Sequence, residues 1–236
     1  LMDTLEQFEK LKKYDTPTIT NVVATYPGKE YCMGLYDPWK GKWYTDQTLK
    51  CMYPEIGRRA GYAVTCTYGL PKADGKNLRF ADVLREIAKI NGPVVLIVKQ
   101  DFPEEIRNID GLLGGNMMTA LKSLGVEGVI TDGPSRDVDE VRSLNIQYML
   151  TGVCAGHGNF AVHEINTPVE ICGMEVNPGE IIHMDENGAV KFPKDKLDKV
   201  LELSEYLQQL ESKRQKRMRE TSDVEELIRI MQGIYD

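Results

Sequence analysis

No run in this chain approaches the roughly 18 apolar residues that a membrane-spanning helix requires, and the opening segment, LMDTLEQFEKLKKYD, is too charged for a signal peptide. Both absences lead to the expectation of a cytoplasmic protein. Cysteines are few and scattered: Cys32, Cys51, Cys66, Cys154 and Cys172 form no Cys-x-x-Cys pair and have no histidines at zinc-ligand spacing. Reduced, mostly buried thiols are expected in place of a disulfide framework or a zinc site. Positive charge is also short, with 29 Lys and Arg against 36 Asp and Glu, a net charge of -7. A nucleic-acid-coating chain needs the opposite balance, because its cations must neutralise phosphates. No internal repeat, no low-complexity linker and no Gly-rich loop with a following acidic residue for a methyl-donor cofactor is found.

What is present is an ordinary globular composition, 42% hydrophobic and 28% charged over 236 residues, enough chain for a substantial core. The simplest partition is one domain over residues 1–236, with 194–236 as a helical appendage. Near the start, Leu5, Phe8 and Leu11 fall on one face at helical spacing, and a second helix starts at Thr16-Pro17. Residues 31–57 are irregular and rich in Gly, Pro, Tyr and Trp, a long excursion expected to carry a hairpin and to act as a lid or subunit contact. A strand and helix alternation follows: GYAVTCTY as strand, ADVLREIAKI as helix, GPVVLIVKQ as buried strand, GGNMMTALKSLG as helix, VEGVIT as strand, VDEVRSLN as helix and IQYMLTGV as strand. Such a rhythm predicts a mainly parallel central sheet. After Gly156 short runs with turns at Asn177-Pro178-Gly179 and Asn187-Gly188 predict an antiparallel β layer. From Lys194 a charged helix faces Leu197, Val200, Leu201, Leu203, Leu207 and Leu210 inward, breaks near Thr221-Ser222, and gives way to a short amphipathic helix.

In TDGPSRDVDEV, Arg136 and Asp137 stand where a helix begins. Asp137 followed by Glu140 is the spacing of a capping box, and spacing alone favours that bland reading. Arg136 would then be a surface residue or a partner of Asp132 or Asp139. Against it stands the pair Gly114-Gly115 before another helix, with Asn116 as a plausible cap, where backbone N–H groups and the helix dipole converge on one point suited to a carboxylate or phosphate. Both helices follow parallel strands, so both amino ends are expected at the carboxyl edge of the sheet, where ligands of open α/β sheets bind.

The block GGNMMTALKSLGVEGVITDGPSRDVDEV resembles the RraA-like family, that of the regulator of ribonuclease E activity A and the 4-hydroxy-4-methyl-2-oxoglutarate aldolases. YDTPTITNVV, GYAVTCTY and INTPVEICGMEVNPGEIIHMDENGAVKFPKDKLDKVLE are similar to other family segments in the same order. The resemblance implies a swivelling β/β/α domain that assembles as a homotrimer or a dimer of trimers. It also implies a metal-dependent lyase acting on a short 2-oxo acid, as aldolase or oxaloacetate decarboxylase, with Mg²⁺ or Mn²⁺ stabilising the enolate. Asp137 would be the metal ligand and Arg136 the substrate-orienting cation. The backbone of Gly114, Gly115, Asn116 and Met117 would hold the pyruvyl carboxylate, and Glu211 of a neighbouring subunit would reach the metal through water. Two alternatives accompany this reading: a non-catalytic regulator of the ribonuclease type, and a diverged metal-dependent enzyme with another substrate.

The sequence departs from the family where Gly115 replaces an acidic residue, and Asn116 cannot act as a base in its place. The loop KQDFPEEIRNID also differs from the family's shorter connection. Among other candidates, His157 in a Gly-rich loop borders the pocket or is structural. His163 and His183 read as strand residues, Asp185 and Glu186 as turn chemistry, and KRQKRMR (213–219) as the solvated face of a helix.

Overall fold

The computed structural model describes residues 3–234. The chain opens with two short helices, α1 (Thr4–Leu11) and α2 (Thr16–Val23). Asp15 caps α2 by accepting from the Thr18 N–H at 2.8 Å, and Pro17 occupies the first turn, where its missing N–H costs nothing. Phe8 and Leu11 are buried as expected, but Leu5 is 56% exposed. The inward face of α1 is therefore only its last turn.

Residues 31–57 form no hairpin: they contain only β1 (Lys50–Cys51), a short 3₁₀ turn at Pro54–Ile56 and isolated bridges. Trp43, Leu49 and Tyr53 bury their side chains in three different parts of the core. That anchoring fixes 43–53 to the body of the protein, so this part of the expected lid is structural.

Alternation then follows the sequence pattern: β2 (Arg59–Gly69), α3 (Phe80–Ile87), β3 (Val94–Asp101), α4 (Gly115–Ser123), β4 (Val126–Thr131), β5 (Pro134–Ser135), α5 (Val138–Arg142), β6 (Gln147–Leu150) and β7 (Gly152–Val153). Strands β6, β4, β3 and β2 lie side by side and parallel. The expected strand 146–153 is split at Thr151, because its last two residues leave the sheet to pair with β5. On β3, Val94, Leu96 and Val98 join one hydrophobic cluster with α3, α4 and α5, whereas Val95 and Ile97 join another on the opposite face. A strand covered on both faces must be apolar throughout, which is why VVLIV reads as a continuous run. Burying each such side chain stabilises the fold by about 1.5–3 kcal/mol.

The second half supplies β8 (Ala161–Ile165), β9 (Val169–Ile171), β10 (Met174–Val176), β11 (Ile181–Asp185) and β12 (Gly188–Phe192). The β9–β10 hairpin covers the second face, placing Val169, Ile171, Met174 and Val176 against Val95 and Ile97. The β11–β12 hairpin extends the central sheet beyond β2 as antiparallel strands. Asp185 pairs with Gly188, so Glu186 and Asn187 are the turn residues, one position before the expected pair. Finally α6 (Leu197–Met218) and α7 (Val224–Met231) follow. Leu197, Val200, Leu201, Leu203 and Leu207 pack with α1, α2 and the β11–β12 hairpin in a third cluster, and Leu210 lies half-buried at its rim. Among the described residues no helix is long and apolar enough to cross a membrane. All five cysteines are free, with Cys66 fully buried and the rest half-buried.

Candidate functional site

The carboxyl edge of the parallel strands is where the loops after β3 and β4 meet. Backbone hydrogen bonds join them: Leu112 N–H donates to the Pro134 carbonyl at 3.0 Å and Arg136 N–H to the Leu113 carbonyl at 3.2 Å. This short parallel run brings Gly114 and Asp137, far apart in sequence, into contact.

Asp137 adopts φ 61, ψ 34, a left-handed conformation uncommon for a residue with a Cβ and costing about 1–2 kcal/mol. The backbone twist turns its side chain away from α5, which receives no side-chain cap. The expected capping box at α5 is therefore not formed. Asp137 Oδ2 instead accepts from the Gly115 N–H at 2.8 Å, so Asp137 caps α4, the helix of the glycine pair. The bare Cα of Gly114 leaves room for this approach: a Cβ there would lie 2.7 Å from Asp137 Oδ2 and 3.3 Å from Arg136 Nε.

Arg136 Nε lies 3.6 Å from Asp137 Oδ2, with side-chain exposures of 35% and 33%. At that distance and exposure the pair contributes little to stability, and both groups remain open to a solute. The expected alternative partner, Asp132, pairs with Lys99 at 2.5 Å.

Gly114, Gly115, Asn116, Met117, Arg136 and Asp137 all line one pocket of about 200 Å³. The first amides of α4 have no intrahelical acceptor, and the positive end of the helix dipole faces the same space. His157 also lines this pocket, held by a hydrogen bond of 3.1 Å between Nδ1 and the Gly158 carbonyl. The sequence did not point to the supporting walls. Phe160 forms one, stacked on Tyr68 at 4.4 Å between centroids. Tyr148 donates its hydroxyl to the Leu113 carbonyl at 3.1 Å; burial raises its pKa, which keeps it a neutral donor. No pattern in the sequence marks either aromatic as part of a site.

The expected metal residues are not brought together within one chain. Glu211 lies on α6 near Asp15, where burial raises its pKa, outside the pocket around Asp137. Among the described residues no group of three or more His, Cys, Asp or Glu is placed to hold a metal ion. Asp137 nevertheless presents a partly exposed carboxylate in a cradle that a glycine Cβ would fill. A single carboxylate oxygen fits a hard divalent cation that keeps most of its water, such as Mg²⁺ or Mn²⁺, and does not fit a closed, all-protein site.

Fold and site together describe an α/β protein in which the start of α4 and a partly exposed carboxylate meet at one sheet edge. Residues 33–191 match the RraA-like family, described as Aldolase/RraA, and the chain belongs to that family. An uncharacterized protein of Methanocaldococcus jannaschii is 31% identical over 118 residues, which is 50% of this chain and 57% of that protein. The 4-hydroxy-4-methyl-2-oxoglutarate aldolase of Thermus thermophilus is 27% identical over 155 residues, 61% of this chain and 90% of the relative. The crystal structure of RraAS2 from Streptomyces coelicolor, an unusual member of the RNase ES inhibitor RraA protein family, superposes with a TM-score of 0.65 at 20% identity, covering 88% of this chain and 94% of that one. The observed fold is thus that of this family, as the sequence resemblance implied.

Proposed function

We propose that this protein is a divalent-cation-dependent lyase that cleaves a carbon–carbon bond in a short 2-oxo acid, in the manner of an aldolase or an oxaloacetate decarboxylase. The observation that carries the reading is the convergence of Arg136, the open carboxylate of Asp137 and the α4 amides on one small pocket. Kinship with proteins named as aldolases points the same way. Asp137 would hold the cation, its geometry fixed by the Gly115 N–H. When bound, Mg²⁺ or Mn²⁺ supplies Lewis-acid stabilisation of the negative charge left on the 2-oxo acid as the bond breaks. The α4 amides at Asn116 and Met117 bind the substrate carboxylate. Arg136 orients the substrate through a planar fork that Lys cannot reproduce. Leu112, Leu113 and Phe160 exclude water from the floor and one side of the pocket.

The proposal extends to assembly as a homotrimer or a dimer of trimers, in which Glu211 of a neighbouring subunit approaches the cation through water. Static light scattering tests the assembly, and a monomer of 26.7 kDa would remove this part. The main test is turnover of oxaloacetate and of 4-hydroxy-2-oxo acids with Mg²⁺, with Asp137→Ala as control. Pyruvate release that depends on both Mg²⁺ and Asp137 is expected. Intact Mn²⁺ binding without turnover of any 2-oxo acid would instead favour the diverged enzyme with another substrate. Specific capture of a ribonuclease, unaffected by Asp137→Ala, would favour a regulator.

A further inference from the structure

A second cavity, of about 540 Å³, shares His157 with the pocket of Arg136 and Asp137. The chain also steps directly from one wall to the other, at Asp110-Gly111 and at Asn159-Phe160, so the two spaces adjoin. Leu70 and Pro71 enter the wall of the second from the end of β2, and Phe102, Ile106 and Ile109 from the end of β3. These strands are paired as far as Gly69 and Asp101, which puts both segments at the carboxyl edge of the sheet. Turns hold the longer segment, with Ile106 N–H donating to the Pro103 carbonyl and Ile109 N–H to the Ile106 carbonyl, each at 3.1 Å. Phe102 and Asp110 are buried and tie it down at both ends. Between these anchors Ile109 is 63% exposed, and Leu70 is also open to water. Large apolar side chains held in solvent over a fixed cavity mark a binding surface. Among the described residues no Lys or Arg lines this cavity, whereas Asp110 does, its carboxylate accepting from the Gly158 N–H at 2.5 Å. An anionic group placed there would meet like charge.

We propose that this cavity holds the tail of the substrate, and that the tail is an uncharged apolar chain or ring carried beyond the 2-oxo acid head. This inference rests on the assignment of the Arg136 pocket to a 2-oxo acid. That pocket, about 200 Å³, has room for a short head group, and the space past His157 takes the rest. Each methylene fully withdrawn from water lowers Kd about fourfold, and an open cavity realises part of that. In a 4-hydroxy-2-oxo acid with such a tail on C4, the C3–C4 bond breaks and its electron pair stays on C3. The proton of the 4-hydroxyl ends on C3, and the products are pyruvate and an apolar aldehyde.

The test is calorimetric titration of the full chain, with Mg²⁺ present, using 2-oxo acids that lack a 4-hydroxyl and so are bound without being cleaved: 2-oxobutanoate, 2-oxooctanoate and 2-oxooctanedioate. 2-Oxooctanoate is expected to bind about tenfold more tightly than 2-oxobutanoate, and 2-oxooctanedioate, whose tail ends in a carboxylate, to lose that gain. Ile109→Asp, at an exposed position that the core does not depend on, is expected to remove the difference between the first two ligands. Leu70→Asp, on the opposite segment, is expected to do the same. Equal Kd values for 2-oxobutanoate and 2-oxooctanoate overturn the inference, and so does a gain that survives both substitutions. If the gain is present and depends on these residues while no 4-hydroxy-2-oxo acid is turned over, the lyase reading falls and the tail cavity stands. If no 2-oxo acid binds, both fall.

Discussion

Two aspartates in this protein make the same hydrogen bond in two different settings. Asp137 Oδ2 accepts from the Gly115 N–H at 2.8 Å, at the start of α4. Asp185 Oδ2 accepts from the Thr16 N–H at 2.7 Å, at the start of α2. Each is a remote cap, supplied from outside the helix it serves. They differ in what happens to the second oxygen. Asp185 is fully buried, and its Oδ1 accepts from the backbone and side-chain N–H groups of Asn187. Beside it, His183 Nδ1 meets Thr16 Oγ1 at 2.9 Å, closing a sealed network. Asp137 is one-third exposed beside a pocket. A carboxylate whose acceptor capacity is spent on the protein is architecture; one with capacity turned to solvent is available for chemistry.

Substitutions should separate the two. The largest effect is expected at Asp137: replacement by Ala lowers turnover about a thousandfold, or about 4 kcal/mol of barrier, while the lost cap costs only about 1 kcal/mol of stability. Steady-state rates beside a melting curve check both halves, and a large loss of stability without a specific loss of rate would erase the contrast. The next effect is one of pH. Burial holds the His183 imidazole down at about 4, against the opposing attraction of Asp185. The unfolded chain protonates His183 near its ordinary value of about 6.5, so stability is full above that pH and falls as pH drops from about 6.5 towards 4. The loss should approach about 3 kcal/mol, measured by urea unfolding across this window. His183→Gln should flatten the slope there. Third comes Asp185→Ala, expected to cost about 2 kcal/mol of stability with the rate per folded molecule unchanged.

The sealed region was more legible in the sequence than the open one. Strand β4 falls on Val126–Thr131 as the apolar run predicts, because Gly125 and Asp132 punctuate it and both its faces are covered. Thr16-Pro17 marked α2 because capping and proline chemistry are local. The pocket residues from Gly114 to Met117 and the Arg136-Asp137 pair were also placed at one sheet edge by chain order alone. What sequence spacing got wrong was the direction of Asp137. Asp-x-x-Glu carries no sign that its first residue is left-handed, and that backbone twist turns a predicted cap of α5 into the cap of α4. The approach of Glu140 to Gly115 was hidden for a related reason, since the two are distant in sequence and meet only once α4 and α5 pack. Likewise Asp185 read as a turn residue, and its bond to Thr16 joins opposite ends of the chain.

The smallest predicted effect concerns the two regions' cations. Lys191 is nearly buried and meets Glu180 Oε2 at 3.1 Å, whereas Arg136 and Asp137 are a third exposed at 3.6 Å. Surface pairs contribute roughly 0–1 kcal/mol, so Arg136→Lys should shift stability by less than about 0.5 kcal/mol. Its cost should appear in substrate binding, because an ammonium cannot form the two parallel bonds of a guanidinium to a carboxylate. A rise in KM of about tenfold, or about 1.4 kcal/mol, is expected for a 2-oxo acid substrate, with kcat changed less. Lys191→Met should show the reverse, a change in stability from stranding Glu180 and no change in KM. If instead Arg136→Lys lowers the melting temperature and leaves KM untouched, Arg136 belongs with the architecture, and the open region reduces to Asp137 and the glycine cradle.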